Sequence, residues 1–225
     1  MYGAIFIAEI LLIFILSSIV ARKISSVLLR LTRSRKVTIY LMSLIFLPGI
    51  IIHELSHYFC ASLLFVRVGK INFLPKISDS EKVTMGSVEI EKTDPIRRFL
   101  IGASPFFFGM VIICVVPFYI FRNGNSVFPP DNAMEILIIL FITYFLFTVA
   151  NSMFSSKKDM EGSLVLLIFL AVIAIGLRFS GIEFETVLIS LVVGNENVFK
   201  NLSILLLPSV LIDLLILASS AKIKG

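Results

Sequence analysis

Apolar positions in this chain fall into long runs, not into stripes or alternations. Hydrophobic residues fill about 2–21, 37–65, 98–121, 133–155, 162–179 and 201–219, with few charged interruptions. Each run is near the ~20 residues a helix needs to cross the hydrocarbon core of a bilayer. The second is longer and the fifth shorter, so the second can tilt or extend beyond the bilayer. The pattern predicts an all-α polytopic membrane protein of about six transmembrane helices. The first run, Tyr2 to Ala21, lacks a basic segment before it and has the length of a full span. It reads as a retained helix and not as a cleaved signal peptide.

The polar positions are equally informative. Between the second and third runs lies a polar insert at about 66–97. Val66 to Leu74 and Val83 to Ile90 are β-like, and turn-rich Pro75 to Lys82 separates them. This predicts a small β-hairpin insert. Asn123 to Asn132, with Gly124 and Pro129-Pro130, reads as a loop. Residues 182–200 mix Glu183, Glu185, Glu196 and Lys200 with aliphatic residues, as in an interfacial helix or a re-entrant piece. No internal repeat or appended soluble domain stands out, so residues 1–225 read as a single membrane domain.

Composition agrees. The chain is 58% hydrophobic, above the 45–50% usual for soluble domains. Its net charge of +5 fits loops that touch anionic headgroups. Basic stretches interleaved with aromatics are lacking, which argues against nucleic acid as a partner. Cys60 and Cys114 both fall inside predicted spans and read as small buried residues, not as a disulfide framework. Orientation is open: the basic residues on the two sides nearly balance.

The chemistry lies in the second run. His53-Glu54-Leu55-Ser56-His57 is its main polar interruption and holds both histidines of the chain. On a helix, positions i and i+4 face the same way, so both imidazoles can reach one metal ion. An ionised acid at the bilayer centre costs about 2.5–3.5 kcal/mol on insertion scales. A glutamate and two histidines together there therefore call for a partner. A catalytic zinc takes three protein ligands and leaves a position for water. His53 and His57 supply two, and Glu9, Glu135, Asp159, Glu161 and Asp213 are candidates for the third. Runs two and four cross in the same direction. The C-terminal end of run four therefore lies on the same side as the histidines. Asp159 sits at that end and Glu135 at the other, which favours Asp159, with Glu161 next. Glu9 and Asp213 suit packing or paired-polar roles better. Zinc lowers the pKa of its water to about 7. Glu54 can then take the proton and deliver it to a leaving amine. Ser56, Ser104, Asn151, Ser152 and Ser155 are polar groups near such a site. Asn151 suits an oxyanion contact best, because its amide donates hydrogen bonds without carrying charge.

These residues resemble the site-2 protease family of intramembrane zinc metalloproteases. His53-Glu54-Leu55-Ser56-His57 is similar to the family's HExxH. Asn151, followed by Asp159 and Gly162, is similar to its second motif, in which the aspartate is the third ligand. Gly102-Ala103-Ser104-Pro105 is similar to the small-residue and proline element between the two. The resemblance covers about residues 37–165, which would be the catalytic core, with accessory spans in 1–36 and 166–225. Two departures stand out. Ser152 to Lys158 carries no proline, and Met160-Glu161 separates Asp159 from Gly162. The resemblance implies zinc held by His53, His57 and Asp159, with Glu54 as base and Asn151 as substrate or oxyanion contact. The substrate would be a transmembrane protein, and the enzyme a multi-pass protein of the cell membrane. The competing expectation is a catalytically inactive adaptor that keeps the zinc motif. The predicted hairpin would offer a strand edge to an unwound substrate segment.

Overall fold

The computed structural model describes residues 2–77, 83–122, 132–153 and 196–221. Six helices and four short strands follow in chain order: α1 (Tyr2–Thr32), α2 (Arg35–Ile45), α3 (Leu47–Leu63), β1 (Val68–Asn72), β2 (Lys76–Ile77), β3 (Val83–Thr84), β4 (Ser87–Ile90), α4 (Pro95–Arg122), α5 (Ala133–Ser152) and α6 (Glu196–Ala221).

Among the described residues, three helices, α1, α4 and α5, are long and apolar enough to cross a membrane, or four spans if α2 and α3 count as one. A shorter apolar stretch, Leu206–Ala218, lies within α6. That compares with the six spans expected, of which 162–179 lies outside the described residues. Ile136, Leu137, Leu140 and Phe141 on α5 and Ile7, Leu11 and Ile15 on α1 are exposed. An apolar outer surface of this extent is what a lipid-facing protein presents.

The run 37–65 is not one straight helix. It breaks at Phe46, and α2 and α3 meet at 74°. Pro48, in the first turn of α3, is the cause. It has no N–H to give the carbonyl four residues back, and its ring clashes there, so a continuous helix cannot pass. Tyr144 of α5 donates its hydroxyl to Ile45 O at 2.9 Å, which satisfies a carbonyl at the break.

The first helix also departs from expectation. It runs past Ala21 through Arg22 and Lys23 to Thr32. Hydropathy ends the span there but not the helix, because the residues that follow tolerate helical geometry. Arg33, at φ 52°, then turns the chain, and Ser34 caps α2 by accepting the Val37 N–H. Asn132 caps α5 in the same way, and its side chain reaches the Glu135 carboxylate at 3.1 Å. Glu135 thus belongs to a helix cap.

The polar insert folds as antiparallel pairs. β1 pairs with β4 (Val68 opposite Ile90, Asn72 opposite Ser87), with an irregularity between Val68 and Ile71. β2 pairs with β3, Lys76 opposite Thr84. The expected turn Pro75 to Lys82 is therefore partly strand. Lys76 and Ile77 extend the hairpin, and 78–82 lie outside the described residues.

Packing forms three apolar clusters. One joins α1, α4, α5 and α6 through Phe6, Ile13, Ile113, Leu146, Ala150, Leu206 and Val210. A second joins α1, α2, α3 and α5 through Leu16, Val20, Met42, Phe46, Ile50 and Phe147, with Met85 of the insert against it. A third, Ala61, Val66 and Ile101, ties the end of α3 to α4. Helix α3 is thereby held between α4 and α5.

Candidate metal centre

Helix α3 buries one face, which carries Gly49, Ile50, His53, Glu54, Ser56 and His57. Gly49 fixes how closely that face meets α5. A side-chain carbon there would collide with the Thr148 carbonyl and come within 2.6 Å of Ser152 Oγ. Close approach of two helix backbones needs a residue this small. One turn further along each helix, His53 faces Ser152. His53 Nδ1 lies 2.9 Å from Ser152 O.

His57 is held from the other side. Its Nδ1 lies 2.8 Å from Ile101 O on α4. That carbonyl is available for a local reason. In a regular helix it would accept the N–H of the residue four places on, but that residue is Pro105. Ser104 Oγ donates to the same oxygen at 2.7 Å. Ser152 O is available because α5 ends there, and the last carbonyls of a helix lack helical donors.

A carbonyl only accepts, so each Nδ1 carries a proton, and in the neutral form of such a ring the lone pair is on Nε2. The two Nε2 atoms lie 3.2 Å apart, with the rings nearly perpendicular. Two nitrogens on one tetrahedral ion at about 2.0–2.1 Å are separated by about 3.3 Å. The pair therefore fits two corners of a zinc site. The backbone carbonyls are the outer hydrogen bonds that orient metal-binding histidines.

Glu54 is buried next to His53 in sequence, at 7% exposure. The turn between β3 and β4 lies against it: a side-chain carbon at Gly86 would fall 2.6 Å from Glu54 Oε1 and 2.9 Å from an Ile50 methyl. Met85 beside it packs on the second apolar cluster.

Asn151 is buried. Its amide donates to Phe147 O at 3.1 Å and to the Asp213 carboxylate at 3.3 Å. Its donor side is thus turned toward Asp213, and Asn151 Oδ1 has no partner among the described residues. Asp213, on α6, is fully buried. Glu9 is buried on α1, with Oε2 unpartnered among the described residues. Asp159 and Glu161 lie outside the described residues. Among those described, no three His, Cys, Asp or Glu residues group to hold a metal. Cys60 is a free thiol, and Cys114 sits within α4.

The groups that sequence reading missed are mostly backbone: Ile101 O and Ser152 O. Their signals were present as Pro105, four residues after Ile101, and Gly49, four residues before His53. The Asn151–Asp213 pair, 62 residues apart in the chain, had no local signal. Comparison with protein-family models, curated proteins and solved structures finds no match to this chain.

Proposed function

We propose that this chain is an intramembrane zinc metalloprotease of the site-2 protease type. It would be a multi-pass protein of the cell membrane that cuts a transmembrane protein substrate within or near the bilayer. His53 and His57 are two zinc ligands and Asp159 the third, with Glu161 as the alternative. The observation that carries this reading is the histidine pair: two Nε2 atoms 3.2 Å apart, each ring anchored through Nδ1 to a backbone carbonyl.

Bound zinc supplies a Lewis acid and a water of lowered pKa. With zinc in place, Glu54 would be the group beside His53 that accepts a proton and gives one to the leaving amine. Its burial under the Gly86 turn keeps bulk water away from the carboxylate. Ile101 O and Ser152 O hold both rings in the ligating tautomer.

The test uses protein purified in detergent, zinc analysis and a panel of single-span substrates. Wild type should carry zinc and cleave at least one substrate. Glu54→Gln should keep zinc and lose about 10²–10⁴-fold in rate, while His57→Ala loses the metal. Zinc content of Asp159→Ala and Glu161→Ala identifies the third ligand. Wild type that binds no zinc, or a fully active Glu54→Gln variant, ends this reading. Zinc binding with no cleavage leaves the adaptor.

A further inference from the structure

We infer that Asp213 is a positioning residue of the metal centre, acting on His53 through Asn151 and the end of α5. The inference rests on the zinc-site reading above.

Asp213 has no exposed surface and lies in an apolar stretch of α6. A buried carboxyl in such a helix is costly unless it is paired and has a task. Its partner among the described residues is Asn151 Nδ2, at 3.3 and 3.5 Å from the two carboxylate oxygens. Apolar packing already joins α5 to α6 through Leu146, Ala150, Leu206 and Val210. Holding the helices together therefore does not need this pair. The pair adds direction: it fixes the rotation and height of the last turn of α5.

That last turn bears on the histidine. Asn151 is followed directly by Ser152, whose carbonyl anchors His53 Nδ1. The N–H of the capping residue, Met153, bonds back to Val149 O at 3.1 Å, and the helix goes no further. Helix ends fray when nothing outside braces them. Ala150 and Met153 are already buried in the first apolar cluster, and to that packing Asp213 adds a hydrogen bond of fixed direction. The chain from Asp213 to Asn151, then Ser152 O, then His53 is continuous. Asp159, the proposed third ligand, lies only eight residues beyond Asn151.

The test compares zinc affinity, by chelator competition, and unfolding temperature of the metal-free protein in detergent. Asp213→Leu removes the acceptor and keeps the apolar volume. Asp213→Asn keeps an acceptor for the Asn151 amide without the charge. The expected result is a 10–100-fold weaker zinc Kd for Asp213→Leu, the range seen when outer hydrogen bonds to metal ligands are lost. Asp213→Asn should stay within about threefold of wild type, and the metal-free unfolding temperature should not track the loss. Asp213→Ala replaces the leucine variant if that one does not fold. An unchanged zinc Kd in the apolar variant overturns the inference, as does failure of Asp213→Asn to restore binding. Wild type without zinc affinity would instead remove the site reading itself, so the two failures are distinct.

Discussion

The two histidines are held by the same chemistry and by different architecture. His57 leans on Ile101 O, a carbonyl that Pro105 leaves available inside α4. His53 leans on Ser152 O, a carbonyl that is available because α5 stops. The first anchor is written locally, four residues from its cause. The second depends on where a helix ends, on a glycine that lets two backbones meet, and on a carboxylate from α6. A proline-made anchor lies in the second turn of a long helix that continues well beyond it. A helix-end anchor has only its neighbours to steady it. The His53 side should therefore be the more fragile half of the centre.

This contrast can be broken from either side. Of the substitutions that test the two anchors, Gly49→Ala is expected to have the larger effect on zinc. The added carbon meets the Thr148 backbone, so α3 and α5 must separate and His53 loses Ser152 O. Overpacking of this kind costs about 1–3 kcal/mol, and zinc Kd should weaken by about 10–100-fold. Calorimetry and metal competition check the two numbers. Pro105→Ala acts on the other anchor and should be milder. It returns an N–H to Ile101 O, whose two lone pairs already take His57 Nδ1 and Ser104 Oγ, but the Ser104 hydroxyl can rotate away so that His57 keeps its anchor. Zinc affinity should fall by about two- to tenfold, while α4 itself gains stability from losing an internal proline. Equal losses from the two variants would contradict the asymmetry.

The smallest effect lies at the start of α4, upstream of both anchors. Asp94 accepts the Arg97 N–H at 3.0 Å. That hydrogen bond, aided by the Arg97 guanidinium, holds its carboxyl below the ordinary carboxylate range. A depressed pKa in the folded state adds stability above the unfolded value and loses it as pH falls through the folded one. Stability of the wild type should therefore decline slightly more than that of Asp94→Asn below about pH 4. Because Asp94 touches neither histidine nor either anchoring carbonyl, zinc affinity at neutral pH should be the same in both. A detergent melting series across pH 3–7 would detect the difference in slope.

Much of this arrangement was legible in the sequence. The i, i+4 spacing of His53 and His57 predicts one shared face, and the helix delivers it. The crossing argument for spans two and four predicts that the end of α5 lies near the histidines, and Ser152 does. The insert between spans two and three was readable as a hairpin from its two β-like stretches. Other features were not readable for identifiable physical reasons. The run 37–65 looks continuous because hydropathy does not register Pro48, yet one missing N–H and one ring clash bend it by 74°. The extension of α1 past Ala21 was hidden because the signal for a span is apolarity and the signal for a helix is not. The Asn151–Asp213 pair is a contact between distant segments, and spacing along a chain carries no record of it. Side-chain reading also favoured Asn151 and Ser152 as polar groups, whereas Ser152 contributes its carbonyl to His53.

The turn between β3 and β4 has one more consequence. Its glycine rests on the carboxylate that the proposed chemistry needs, with less space than a single methyl group requires. Position 86 therefore admits an alphabet of one letter unless the insert lifts away from α3. The tolerance of that single position to replacement becomes a gauge of how tightly the strands of the insert are seated on the buried carboxylate beneath them.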